Sequence, residues 1–244
     1  MQIDALAVRL RPRSSMEAAD HGVRLCQSAA RSVYPLYLRV AIPIVILAVA
    51  SFEIAGWLPT LVIWWLKPWL DRTILFALSR AVFNQKTTWR DLWASRRQVW
   101  FGQILLALTL QRLSFWRALT QPVYQLEGGG FWGARRRVRK LRRGAAGAAF
   151  LTTQAFSLCE LALASACFSL MFWFAPAGRA PDLAQIFDNE ASATIGIAAA
   201  LSYAAAVLFL EPFFVATGFA QYLNRRAALE AWDIEQEFRR AFTR

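Results

Sequence analysis

The chain has 244 residues, 57% of them hydrophobic and 18% charged, with a formal net charge of +12, and its mean hydropathy is +0.33. The apolar residues form long blocks with basic residues between them, which argues against a soluble enzyme and describes an all-α integral membrane protein with about four transmembrane helices and cytoplasmic interfacial amphipathic helices. A single histidine and three cysteines give little support to multi-ligand zinc chemistry or a disulfide framework.

Residues 1–33 form a cytoplasmic N-terminal segment. Leu6, Val8 and Leu10 alternate with Arg9 and Arg11 in a short extended stretch that Pro12 ends. Ser14-Ser15-Met16-Glu17 reads as a capping box. Met16, Ala19, Val23, Cys26 and Ala30 then recur at helical spacing, which predicts an amphipathic helix from about Ser15 to Ser32 along the membrane surface. The first apolar block begins near Leu36, too far in and too long for a secretory h-region.

Residues 34–83 hold transmembrane helices one and two. The first runs from about Tyr34 to Ala55, with Tyr34, Tyr37 and Arg39 suited to an interface. Gly56-Trp57-Leu58-Pro59 makes an uncharged turn. The second follows from Thr60 and meets Lys67, Pro68, Asp71 and Arg72 before apolar residues resume at Ile74. Spanning takes ~20 residues, so Lys67 is carried into the bilayer, with a kink expected at Pro68.

Residues 84–145 form a basic cytoplasmic or interfacial region. Val99 to Leu110 is apolar but too short to cross, so it is expected to be an interfacial, re-entrant or buried helix. Pro122 and Gly128-Gly129-Gly130 are expected to break the region. Residues 146–222 hold helices three and four, which carry Glu160 and Glu211-Pro212. The third runs to about Phe174, and an acidic loop over 175–192 joins the two. Gly196, Ala200 and Ala204, and Ala198, Ser202 and Ala206, form rows of small residues that let helices approach closely, as do Ala162 and Ala166. Residues 223–244 read as a cytoplasmic amphipathic tail.

Four spans place every Lys and Arg except Arg179 on one side. The positive-inside rule then puts both termini in the cytoplasm. Arg135, Arg136, Arg137, Arg139, Lys140, Arg142 and Arg143 pack seven cations into nine positions. Beside a span, that run anchors topology and attracts anionic lipid headgroups at ~1 kcal/mol per cation. An acidic protein partner is the other reading. No groove-reading or RNA-binding signature accompanies the run, so nucleic acid is not expected as a partner.

Glu53, Lys67, Asp71, Arg72, Glu160 and Glu211 are the candidate site, an intramembrane charge network. Each charge at depth costs ~2.5–3.5 kcal/mol on the lenient insertion scale, so these side chains should face the bundle and pair. As structural glue, Lys67 and Arg72 neutralise the carboxylates. As a functional site, the group forms an ion or proton relay, or a polar substrate cavity between helices broken at Pro68 and Pro212. No Gly-x-Ser-x-Gly, His-Glu-x-x-His, P-loop or Gly-x-Gly-x-x-Gly is present. His21 is expected to be solvated. The three cysteines read as free thiols, since Cys159 and Cys167 lie ~12 Å apart along one helix axis, beyond disulfide reach. No catalytic residue, metal ligand or cofactor is expected, and the protein is not expected to be an enzyme.

Several stretches carry a family resemblance. Glu211-Pro212-Phe213-Phe214-Val215-Ala216-Thr217-Gly218-Phe219-Ala220-Gln221-Tyr222-Leu223-Asn224-Arg225-Arg226 is followed by Leu229-Glu230-Ala231-Trp232-Asp233-Ile234-Glu235. Earlier come Arg11-Pro12-Arg13, Trp64-Trp65-Leu66-Lys67-Pro68 with Asp71-Arg72, Leu78-Ser79-Arg80-Ala81 and Gln125-Leu126-Glu127-Gly128. Together they resemble a family of uncharacterised proteobacterial multi-pass inner-membrane proteins encoded near MoxR-type AAA+ ATPase and von Willebrand-factor-A-like genes. Gln221 and Ala231 depart from its usual apolar residue and glycine. The resemblance implies a non-enzymatic scaffold or partner subunit of a membrane-associated complex. Its expected partners are anionic lipid headgroups and other membrane or membrane-associated proteins. The alternative is a small transporter or ion- or proton-conducting subunit.

Overall fold

The computed structural model describes residues 13–102, 104–109, 112–128, 131–174 and 193–230. The extended stretch expected before Pro12, the loop over 175–192 and the tail over 231–244 lie outside them. Among the described residues every regular element is helical: α1 (Ser15–Ala50), α2 (Leu58–Ala81), α3 (Trp89–Ala94), α4 (Ile104–Leu108), α5 (Arg117–Leu126), α6 (Phe131–Arg142), α7 (Ala146–Trp173) and α8 (Ala193–Glu230). Three helical stretches, Ser15–Glu53, Ala146–Trp173 and Ala193–Glu230, are long and apolar enough to cross a membrane. Helix α2 has 24 residues, a sufficient length, but Lys67, Asp71 and Arg72 sit in its middle.

Helix α8 lies at the centre and packs against α1, α2, α5 and α7. Two glycines permit the closest approaches. A Cβ on Gly22 of α1 would stand 2.5 Å from Thr217 Cα, and one on Gly218 would stand 2.2 Å from Ala118 Cβ of α5. Small residues thus bring backbones together where the helices cross. Ala200 and Ala204 are buried as their row predicts, whereas Ala162 and Ala166 of α7 are exposed, so that pair makes no close helix contact within the described residues.

Helix α1 differs from the expected surface helix followed by a separate span. It runs unbroken through Pro35 and Pro43. Ser14 caps it, its hydroxyl accepting from the Glu17 amide at 3.2 Å. Glu17 pairs with Arg13 at 3.5 Å. Cys26, Val33, Leu36, Tyr37, Val40 and Ala41 form one buried stripe across the expected boundary. That continuous apolar face keeps the helix intact. The ends of α1 and α8 are tied by two backbone-to-amide bonds: the Arg13 N–H donates to Asn224 Oδ1 and Asn224 Nδ2 donates to the Arg13 carbonyl, each at 2.9 Å.

The stretch from Val99 to Leu110 is not one helix. A π-helical turn over Arg97–Phe101 ends at Gly102, whose backbone is extended, and the short α4 begins at Ile104. The anchor is Trp100, whose Nε1 donates to Thr73 Oγ1 at 3.0 Å while its carbonyl accepts from Trp69 Nε1 at 3.1 Å. These bonds pull the segment onto α2. Upstream, Thr88 and Asp91 form a capping box on α3. Hydrogen bonds from the Thr88 amide and hydroxyl hold the Asp91 carboxyl below its ordinary range. Pro122 does not break the region either; it lies inside α5.

Candidate functional site: a buried charge cluster beside a cavity

Beside its apolar core the described structure buries a group of charged and polar side chains and exposes large apolar ones. Asp71, Arg72, Lys67, Arg117, Gln121 and Glu211 are buried, while Ile46, Leu47, Leu158, Leu161, Trp173 and Phe209 are exposed. Charged side chains are almost never fully buried unless they are paired.

Five of the buried or half-buried charges form one cluster. Lys67 of α2 donates to Glu160 Oε2 of α7 and lies 2.7 Å from Glu211 Oε2 of α8. The other oxygen of Glu211 accepts from Arg117 Nη2 of α5 at 2.7 Å. Arg117 Nε lies 3.3 Å from Asp71 Oδ2, back on α2. Four helices are therefore joined through Lys67 and Arg117, with Glu211 bridging the two cations. A buried cation of this kind is tolerable only when paired.

Four of these five residues are among those the sequence singles out. Arg72 stands apart, its guanidinium donating to the carbonyls of Val99 and, at 3.1 Å, Gln98. It supports the π-helical turn and pairs with no carboxylate among the described residues. Glu53 is exposed at the end of the 3₁₀ turn after α1 and joins no pair among the described residues. The missed member is Arg117, which lies in the region read as cytoplasmic. Its signal is a polar stripe, because Arg117, Gln121 and Gln125 recur every fourth residue and share one helix face. Gln121 donates to the Pro68 carbonyl at 3.0 Å and Gln125 to the Arg72 carbonyl at 2.8 Å. This stripe docks α5 onto α2 and delivers Arg117 to the carboxylates.

A cavity of ≈ 310 Å³ opens beside the cluster. Lys67, Arg117, Glu160 and Glu211 line its polar wall, with Trp64 and Phe214 among its aromatic residues. Arg112 also lines it and stacks 3.4 Å from the centroid of the Trp64 ring. The volume lies at the small end of ligand pockets. No group of three or more His, Cys, Asp or Glu able to hold a metal occurs among the described residues.

The basic run forms much of α6, and its cations divide by environment. Arg135, Arg136, Arg139, Lys140 and Arg143 are exposed. Arg137 is instead half-buried and bonded to carboxylates: its Nε lies 3.1 Å from Glu127 Oε2, and Nη2 donates to Glu230. Arg142 is half-buried, stacking 3.5 Å from the Trp116 ring centroid. Arg137 therefore fastens α6 to α8, in place of the lipid contact expected of it. Gln221 of α8 donates to Thr152 Oγ1 of α7 at 2.9 Å.

Compared with known proteins, the chain matches no family model, no curated protein and no solved structure.

Proposed function

We propose that this is a multi-pass bacterial inner-membrane protein with four spans, α1, α2, α7 and α8, and both termini in the cytoplasm. Its function is that of a non-enzymatic scaffold or partner subunit in a membrane-associated complex, of the MoxR-linked kind that the sequence resemblance implies. Exposed apolar side chains on the long helices, which suit hydrocarbon, and charges paired inside the bundle, away from it, support the membrane setting. The cluster joins four helices through short pairs, which favours a rigid framework.

Cysteine labelling tests the topology. In a cysteine-free background, Arg136→Cys is expected to react with a membrane-impermeant maleimide only after the inner membrane is opened. Reaction in intact spheroplasts would overturn the assignment. Capture from gently solubilised membranes tests the scaffold role. A stoichiometric protein partner is expected, and recovery of the bait with lipid alone would count against the reading.

The cavity favours a second reading, a small transporter or ion- or proton-conducting subunit. Charged groups and aromatic walls at one site are the ingredients of a polar-solute or proton pathway.

A further inference from the structure

A second concavity, of ≈ 1100 Å³, lies between the N-terminal half of α1 and the segment following α2. Arg13, Arg24, Arg31 and Lys86 line it, and among the described residues none that lines it is Asp or Glu. Arg24, Arg31 and Lys86 are exposed. Arg13 is occupied with Glu17 and with His21, to whose Nε2 it donates. His21 Nδ1 lies 2.9 Å from the Glu17 carbonyl and donates there, leaving Nε2 as the acceptor. His21 is thus held in the groove wall, contrary to the solvated side chain expected.

Arg24, Ser28 and Arg31 follow one face of α1, with the two guanidinium-bearing residues ~10 Å apart along the axis. Asn84 and Gln85 add side-chain amides from the opposite wall. Thr87 is only 7% exposed, and its hydroxyl has no hydrogen-bond partner among the described residues. Leu25, Ala29 and Ala81 supply apolar surface. Clustered exposed cations, the buried Thr87 hydroxyl and a lining without a carboxylate among the described residues suit a phosphate ester, which guanidinium groups bind through paired hydrogen bonds.

We propose that this groove binds the phosphate of an anionic membrane lipid headgroup. The lipid source rests on the membrane reading, under which this end of α1 stands at the cytoplasmic boundary, where basic pockets between helices take such headgroups. The site is separate from α6 and from the buried charge cluster.

The test compares the intact protein with Arg24→Gln/Arg31→Gln/Lys86→Gln and with Arg136→Gln/Arg139→Gln/Lys140→Gln, which removes the same charge from α6. Native mass spectrometry from detergent measures retained phosphatidylglycerol. The groove variant is expected to bind it about a hundredfold more weakly, at about fivefold per cation, with the α6 variant close to the parent, because diffuse attraction to a bilayer surface is lost once detergent replaces the bilayer. Equal weakening in both variants, or none in the groove variant, would overturn the site. Circular dichroism checks folding, and Lys86→Gln alone, a milder change in the same wall, is expected to weaken retention about fivefold. Competition by inorganic phosphate at constant ionic strength, without lipid retention, would keep the anion site and overturn its lipid source. Recovery of the protein without detergent would instead sink the membrane reading, separately from the phosphate result.

Discussion

Lys67→Met destabilises the bundle by about 3–5 kcal/mol, the range for removing one partner of a buried ion pair. The substitution keeps most of the side-chain length but leaves Asp71, Glu160 and Glu211 facing Arg117 alone. Glu211→Gln is milder, because Lys67 retains Glu160 and Arg117 retains Asp71. Combining the two changes is expected to recover part of the loss, since one uncompensated carboxylate disappears with the lysine. Thermal unfolding in detergent, followed by tryptophan fluorescence, reads this order. A double variant less stable than Lys67→Met would contradict the pairing. The same Glu211→Gln protein separates the functional readings in proteoliposomes: a relay loses flux, whereas a framework loses only stability or assembly.

Gly218→Ala is expected to cost about 1–3 kcal/mol by overpacking. The added methyl would meet the Cβ, carbonyl carbon and carbonyl oxygen of Ala118, all within 2.6 Å. The backbone must shift, and α5 moves with it. Because α5 carries Arg117, the change also loosens the charge cluster. Gly147→Ala is the control, since nothing lies within 4 Å of its added Cβ. Equal unfolding temperatures for the parent and Gly218→Ala would show that α5 and α8 do not meet as closely as described.

Hydrophobic blocks made the long helices legible, and the rarity of charge within them singled out Lys67, Asp71, Glu160 and Glu211. Arg117 was hidden because it lies among many basic residues, where a cation carries little information about depth. Its regular spacing with Gln121 and Gln125 was the available clue. A charge within a span implies a charged partner for Arg72, yet backbone carbonyls satisfy its guanidinium where the π-helical turn presents them. The continuity of α1 was obscured by Arg31, Tyr34 and Pro35, which resemble a boundary in composition. The buried stripe through Val33, Leu36 and Tyr37 crosses that boundary and depends on contacts with α8 that one helix cannot reveal.

The length of α1 has a mechanical consequence. Thirty-six residues at ~1.5 Å each make a rod of ~54 Å, well beyond the ~30 Å hydrocarbon layer. Its end is latched to α8 through Arg13 and Asn224, and further along the two helices meet again at Gly22 and Thr217 and through the Tyr34 hydroxyl, which donates to the Phe209 carbonyl at 2.8 Å. A bend in either shaft would therefore carry the other with it along the seam they share.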